Sequence, residues 1–140
     1  MTNLIEKSLL IGFGIFTLTI FSTILVPFLG TISEFNKNEK NKLQSYIIFI
    51  EQVDQGIHYI IQNPNDVYLK SIEYPDNLNI TINQYYIKYE FLIEKEICVK
   101  IVEYNVSLLS SNFHRILPQI YILNISYFST SIKVNLSKIN

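Results

Sequence analysis

The sequence contains no tryptophan, and it has only one cysteine, four glycines and four prolines among its 140 residues. The single Cys98 excludes an internal disulfide, so packing and hydrogen bonds must hold the fold together. Eleven basic and 12 acidic residues give a net charge of −1, which leaves no basic excess for a phosphate backbone and no acidic tail. Composition therefore argues against a disulfide-stapled domain and against a nucleic acid partner.

Sequence signals for catalysis and for metal binding are also missing. His58 and His114 are the only histidines, and with Cys98 they form no recognisable metal-ligand spacing. Glu51 and Asp54 lie three residues apart on a predicted helix, where a solvated face is the simpler interpretation than a pair of catalytic acids. We therefore expect no enzyme activity, no small-molecule substrate and no cofactor other than N-linked glycans.

One uncharged apolar run dominates the sequence. It covers 26 residues, 8–33, between Lys7 and Glu34. As a helix it would be about 39 Å long, enough to cross a hydrocarbon core of about 30 Å. Its Ser and Thr hydroxyls can bond to the carbonyl one turn earlier, so they can enter lipid. The run predicts a transmembrane helix, either a plain anchor or a helix that later packs against copies of itself.

An amphipathic pattern follows the apolar run. Apolar side chains recur at spacings of three and four, the helical period, at Leu43, Ile47, Ile50, Val53 and Ile57. Pro64 predicts an end at Gln62, because the residue before a proline avoids the helical region. We expect one nearly continuous helix from about Ser8 to Gln62, bent or interrupted between Pro27 and Asn38.

After Val67 the hydrophobic period changes from that of a helix to the alternation of strands. Five segments alternate, with buried faces predicted at Leu78, Ile80 and Ile82; Ile87, Tyr89, Phe91 and Ile93; Ile97, Val99 and Ile101; Tyr121, Leu123, Ile125 and Tyr127; and Ile132, Val134 and Leu136. Residues 67–73 and 104–109 add two less regular strands, and turns are predicted at 75–77, 94–96 and 110–112. This pattern predicts an antiparallel β-sandwich, or one sheet packed on the helix.

The predicted fold class is therefore α+β. A long N-terminal helix, hydrophobic and then amphipathic, precedes a small antiparallel β-sandwich or β-sheet head, which gives a lollipop shape. The predicted divisions are residues 1–33 as leader and hydrophobic helix, 34–62 as amphipathic continuation and 67–140 as β-rich head.

Two sequence signals bear on orientation, and they disagree. Four Asn-x-Ser/Thr sequons follow the apolar run, at Asn79, Asn105, Asn124 and Asn135. They favour a glycosylated head outside the cytoplasm, the alternative being an Asn-rich chain that alternates in strands. The positive-inside rule favours a cytoplasmic head, because three lysines follow the run closely and only Lys7 precedes it. We expect the external orientation.

This arrangement of apolar helix, amphipathic continuation and β head resembles the type IV pilin superfamily, including archaeal pilins and archaellum filament subunits. Pro27 is similar to the helix-bending proline of bacterial pilins. A short leader cut after Lys7 would fit that family, or Met1 is already the first mature residue. Glu6 corresponds to the family's acidic residue only without that cut, and then lies one position late.

The resemblance implies a subunit held first in membrane lipid and then polymerised with copies of itself into an extracellular, cell-surface filament. The assembly residues it implies are Glu6, Lys7, Phe13, Phe16, Phe21, Pro27, Phe28, Leu43, Ile47, Ile50, Val53 and Ile57. One alternative resembles the archaellum accessory subunits, in which an anchored β-sandwich binds a partner and does not polymerise. A membrane-tethered receptor module is a further alternative.

Overall fold

The computed structural model describes residues 2–138, apart from the side chains of residues 2, 32, 33, 35 and 36. Helix α1 spans Thr2–Gln62, and seven strands follow it. The strands are β1 Val67–Glu73, β2 Asn79–Ile82, β3 Tyr86–Ile93, β4 Glu96–Glu103, β5 Ser111–Phe113, β6 Ile120–Phe128 and β7 Ser131–Lys138. The α+β class is confirmed. The chain forms two compact units, Met1–Asn38 and Glu39–Asn140, so the second half of α1 belongs to the same unit as the strands. We call this second unit the head.

The backbone of α1 is helical on both sides of Pro27, so an interruption between Pro27 and Asn38 is wrong, and a bend there stays a prediction. Pro27 cannot donate its own backbone hydrogen bond and its ring crowds the carbonyl four residues earlier, but the helix continues past it. The Thr31 hydroxyl donates to the Pro27 carbonyl oxygen at 3.0 Å. Helix α1 also begins before the predicted start at Ser8, at Thr2.

Helix α1 ends at Gln62, as predicted, because Asn63 and Asp66 close its last turn. The Asn63 backbone N–H and side-chain amide donate to the Tyr59 carbonyl at 2.9 and 3.0 Å. The Tyr59 hydroxyl donates to the Asp66 carboxylate, which also accepts the Val67 N–H at 2.9 Å. These bonds hold the pKa of Asp66 below its usual value, with the Tyr59 bond the larger cause. The chain therefore turns directly from α1 into β1.

The strands form two antiparallel sheets, one in the order β1-β6-β7 and the other in the order β4-β3-β2-β5. Both sheets and α1 contribute to one core. The side chains of Phe49, Val53, Ile80, Ile87, Leu123 and Val134 surround a space of about 10 Å³ inside it. That space is too small for a ligand. The buried faces predicted for β2, β3, β6 and β7 are confirmed, with Ile93, Tyr127 and Leu136 only partly buried.

Two predictions between β4 and β6 are wrong. Residues 104–109 form no strand, and within them only Leu108 makes an isolated bridge, to Ile132. The turn predicted at 110–112 is largely the short strand β5, whose residues pair with β2. Without β5, the backbone groups on that edge of β2 would have no strand partner. Pairing with β2 therefore outweighs the turn preference of Ser111 and Asn112.

The face predicted for β4 is also wrong, because Ile97, Val99 and Ile101 are exposed. The two-residue turn Glu94–Lys95, with positive φ at both residues, fixes the pairing of Ile93 with Glu96. In that register the buried β3 residues pair with Cys98, Lys100 and Val102. They do not pair with the predicted apolar row of β4. Side chains opposite each other share a face, so β4 turns its apolar row outward.

At Gly56, α1 lies close against the β1-β6-β7 sheet. A Cβ added there would lie 2.6 Å from the Ile125 Cδ1 and 2.7 Å from the Tyr68 Cδ1. Glycine in a helix costs about 1 kcal/mol relative to alanine. Because glycine has no side chain, the helix can lie directly on the sheet at this position.

We expect Gly56→Ala to lower the free energy of unfolding of the head by about 1–3 kcal/mol, because the added methyl group must displace Tyr68 and Ile125. Denaturant titration of the full chain in detergent, followed by near-UV circular dichroism of the tyrosines, measures this change. Gly30→Ala is the matched control, because nothing lies within 4 Å of its added Cβ. Unchanged or increased stability of Gly56→Ala would contradict the close packing.

Candidate functional site

The first candidate surface is the apolar segment Asn3–Thr31 of α1. It is 29 residues long with a mean hydropathy of 2.3, and none of it is buried inside the protein. Length and composition alone make it a candidate membrane span. The predicted assembly residues within it are all exposed: Glu6, Lys7, Phe13, Phe16, Phe21, Pro27 and Phe28. The segment is therefore apolar on every side, as expected of a helix whose cover comes from outside its own chain.

Threonine hydroxyls within this segment are satisfied by the helix itself. Thr17 and Thr19 each donate to the carbonyl four residues earlier at 2.8 Å. Thr23 donates to the Ile20 carbonyl at 2.8 Å. The predicted back-bonding is confirmed for these residues. Such bonds remove the cost of placing a free hydroxyl in an apolar environment.

The second half of α1 divides the predicted amphipathic stripe between the core and the surface. Val53 and Ile57 are buried within the head, and Ile50 is partly buried against it. Leu43 and Ile47 are exposed. Leu43 and Ile47, which are 38% and 45% exposed, are therefore the stripe residues that keep the most apolar surface free for a contact with another molecule. Tyr46 and Phe49, which the stripe did not include, are the buried residues of these turns.

A tyrosine–aspartate contact joins α1 to the end of β4. The Tyr104 hydroxyl donates to the Asp54 Oδ1 at 2.9 Å, and the His58 Nδ1 lies 3.4 Å from the same oxygen. Burial, with smaller electrostatic contributions, raises the pKa of Tyr104, so the phenol stays protonated as a donor. Asp54 thus anchors the helix to the sheet instead of lying only on a solvated face.

Tyr74 and Tyr89 are both fully buried, and their hydroxyls differ. The Tyr74 hydroxyl donates to the Leu78 carbonyl oxygen at 2.8 Å. The Tyr89 hydroxyl has no hydrogen-bond partner among the described residues. Burial raises the pKa of both phenols. Their aromatic rings pack in the core, and their protonated hydroxyls offer no base for chemistry.

The head has an open cleft of about 500 Å³ near the start of β2, and another of about 460 Å³ lined by residues of α1, β3 and β4. Asp76, Asn77, Asn79, Glu90 and Arg115 supply the polar lining of the cleft near β2, and no Ser, Thr, Cys, Lys or His side chain contributes. Within residues 2–138, no group of three or more His, Cys, Asp or Glu side chains is placed to hold a metal ion. The cleft therefore brings together no nucleophile and base.

The four sequons lie at different depths. Asn105 and Asn135 are exposed, whereas Asn79 and Asn124 are half-buried. The Asn79 Oδ1 accepts the Arg115 backbone N–H at 3.3 Å. Asn124 and Asn135 are direct partners across β6 and β7. Two of the predicted sites thus share one small area of one sheet.

A second apolar surface lies on β4 and was missed by sequence reasoning. Ile97 is 74% exposed, Val99 53% and Ile101 51%, and Leu92 of β3 adjoins Ile97 as its cross-strand partner. The alternating pattern showed that one face of β4 is apolar, but not whether that face is buried or exposed. The short Glu94–Lys95 turn, which sets the register, was the feature that could have revealed it.

Comparison of the chain with protein-family models, with curated proteins and with solved structures finds no match.

We expect Tyr74→Phe to lower the free energy of unfolding by about 1 kcal/mol, because it removes a buried hydrogen bond to the Leu78 carbonyl. Tyr89→Phe removes a hydroxyl without a described partner and should leave stability unchanged or raise it by up to about 1 kcal/mol. Denaturant titration of the two single variants measures the difference. A larger loss for Tyr89→Phe than for Tyr74→Phe would show that the Tyr89 hydroxyl has a partner after all.

Proposed function

We propose that this chain is a structural subunit of an extracellular type IV pilus-like filament, held in the membrane by its apolar helix before assembly. The observation that carries the proposal is the continuity of α1. The residues between the uncovered apolar segment and the head are helical, without a loop. A plain anchor does not need a helical continuation after the apolar segment, whereas a filament subunit can use such a continuation to contact its neighbours.

The energetics support assembly from lipid. An apolar helix that leaves the bilayer for a bundle of like helices keeps its surface away from water throughout. Transfer therefore costs little hydrophobic free energy, and packing between side chains decides the outcome. Contacts that join different surfaces of successive copies generate a helical filament when the rotation from copy to copy does not close a ring.

The exposed residues on the second half of α1 supply a candidate contact. Leu43 and Ile47 leave apolar surface partly uncovered on a part of the helix that flanks the side committed to the head core. In a filament these side chains pack on a neighbouring helix. The head, with its sequons, then forms the outer layer.

The second candidate function is an anchored β-sandwich that binds a partner and does not polymerise. The apolar row on β4 favours it, because an exposed row on an edge strand suits a docking surface on the head. This function needs the apolar segment only as an anchor.

Ile47→Lys separates these two functions. We expect it to abolish fibres sheared from the cell surface, because a charge placed in the helix contact cannot be desolvated cheaply. Membrane insertion and unfolding of the head should remain unchanged. The measurement is the amount of this chain in sheared fibres and in washed membranes.

Ile48→Lys is the matched control. It is the same substitution at a side chain of equal exposure, 45%, turned about 100° around the helix. We expect it to retain fibres. Normal fibres from Ile47→Lys would contradict the assembly contact, and finding the wild-type chain only in washed membranes would favour the anchor.

Glycan occupancy tests the external orientation. We expect glycopeptide mass spectrometry of the native protein to find higher occupancy at the exposed Asn105 and Asn135 than at Asn79 and Asn124. Because Asn124 and Asn135 face each other, Asn135→Gln should raise occupancy at Asn124. Unmodified asparagine at all four sequons, with protease cleavage of the head from the cytoplasmic side, would reverse the orientation.

A further inference from the structure

Strand β4 is an edge strand with an unusual face. It ends the four-stranded sheet, so one side of its backbone has no strand partner in that sheet. The outward side chains at its middle are Ile97, Val99 and Ile101, all more than half exposed. Edge strands usually carry charges or bulges that prevent pairing with another chain. Here the outward residues at the middle of β4 are apolar and the exposed Glu103 follows them at its end, whereas the exposed Glu96 and Lys100 lie on the other face of the strand.

The register identifies which backbone groups are free. A two-residue turn closes on a hydrogen-bonded pair, which here is Ile93 with Glu96. Hydrogen-bonded and non-hydrogen-bonded pairs then alternate along β3 and β4. The N–H and C=O groups of Ile97, Val99 and Ile101 therefore face the free edge. The residues with apolar outward side chains are also those that offer hydrogen bonds to an added strand.

We propose that the β4 strands of two copies of this chain pair antiparallel, with Cys98 opposite Cys98. In that register Glu96 of each copy lies opposite Lys100 of the other, and Ile97 lies opposite Val99. The pairing thus forms two Glu96–Lys100 charge pairs, and the apolar row of one β4 strand continues on the other. Ile97 and Val99 form the hydrogen-bonded pairs, and the two sheets become one.

Neighbouring registers fit less well. Only shifts that keep outward residues opposite outward residues preserve the faces. Centring the pair on Val99 places Glu96 opposite Val102, which loses both charge pairs. Centring it on Lys100 places the two lysines opposite each other, where like charges repel. In the described part of the chain Lys100 makes no ion pair, although Glu51 and Asp54 line the same groove beside α1. Charge thus selects the register centred on Cys98.

This pairing goes beyond the proposed filament and does not depend on it. The contact uses the same surface of both copies and closes on itself, so it yields pairs of heads and no chain of subunits. The proposed filament contact uses Leu43 and Ile47 of α1, of which Ile47 borders the groove that Lys100 of β4 also lines.

The single cysteine makes the pairing directly measurable. Opposed residues in a non-hydrogen-bonded antiparallel pair have Cα atoms about 4.5 Å apart, within the range that a disulfide bridges. Copper phenanthroline added to membranes containing the full-length chain should therefore produce a disulfide-linked dimer on a non-reducing gel. Membranes are used before assembly, so loss of fibres and loss of pairing are read separately.

The matched control moves the cysteine. In Cys98→Ser with Ser71→Cys, the thiol lies on the exposed outer face of β1, whereas Cys98 is half-buried. Random collisions favour the more exposed thiol, and specific pairing favours Cys98. We expect Cys98 to cross-link at least about tenfold faster. Equal or slower cross-linking of Cys98 would overturn the proposal.

A charge exchange tests the register. Lys100→Glu places two glutamates opposite each other at each charge pair and should lower the dimer yield about tenfold. Combining Lys100→Glu with Glu96→Lys restores opposite charges and should restore the wild-type yield. A double variant that stays as low as the single one would overturn the charge pairing.

Discussion

The free surface of the apolar segment is the constraint on which the rest of the molecule depends. Residues 3–31 form a helix with no side chain covered by the chain itself. Each square ångström of apolar surface costs about 25 cal/mol in water, so a helix of this length must always have another cover. In the proposed function, lipid supplies that cover for a single chain, and other copies supply it in the filament. Both states satisfy the same physical demand.

The head solves a different packing problem with the same helix. Between Tyr46 and Ile60, one side of α1 is buried against the two small sheets and completes their shared hydrophobic core. Gly56 brings helix and sheet into direct contact, and the Asp54–Tyr104 hydrogen bond holds the helix beside β4. The helix is therefore part of the head, and the division between residues 38 and 39 falls within a continuous helix.

Much of this fold follows from hydrophobic period alone. The uncharged run, the change of period near Val67 and the proline after Gln62 predicted the apolar helix, the strands and the helix end, because each depends on local sequence. The errors arose where distant residues decide. Val53 and Ile57 looked available for assembly until the sheets covered them, and β4 was assigned the wrong face because register, not alternation, sets which face is buried. Strand β5 exists because β2 offers an open edge, which residues 110–112 cannot reveal.

The most direct test of the central claim is a comparison of carbene labelling along residues 3–31 in two preparations. A lipid-soluble diazirine should label this segment in washed membranes, where its cover is lipid. Added to sheared fibres at the same concentration, the reagent should leave the segment protected and label the exposed β4 surface or other head residues instead, because copies of the helix cover one another. Equal labelling in both preparations, or fibres that do not contain this chain, would contradict the account.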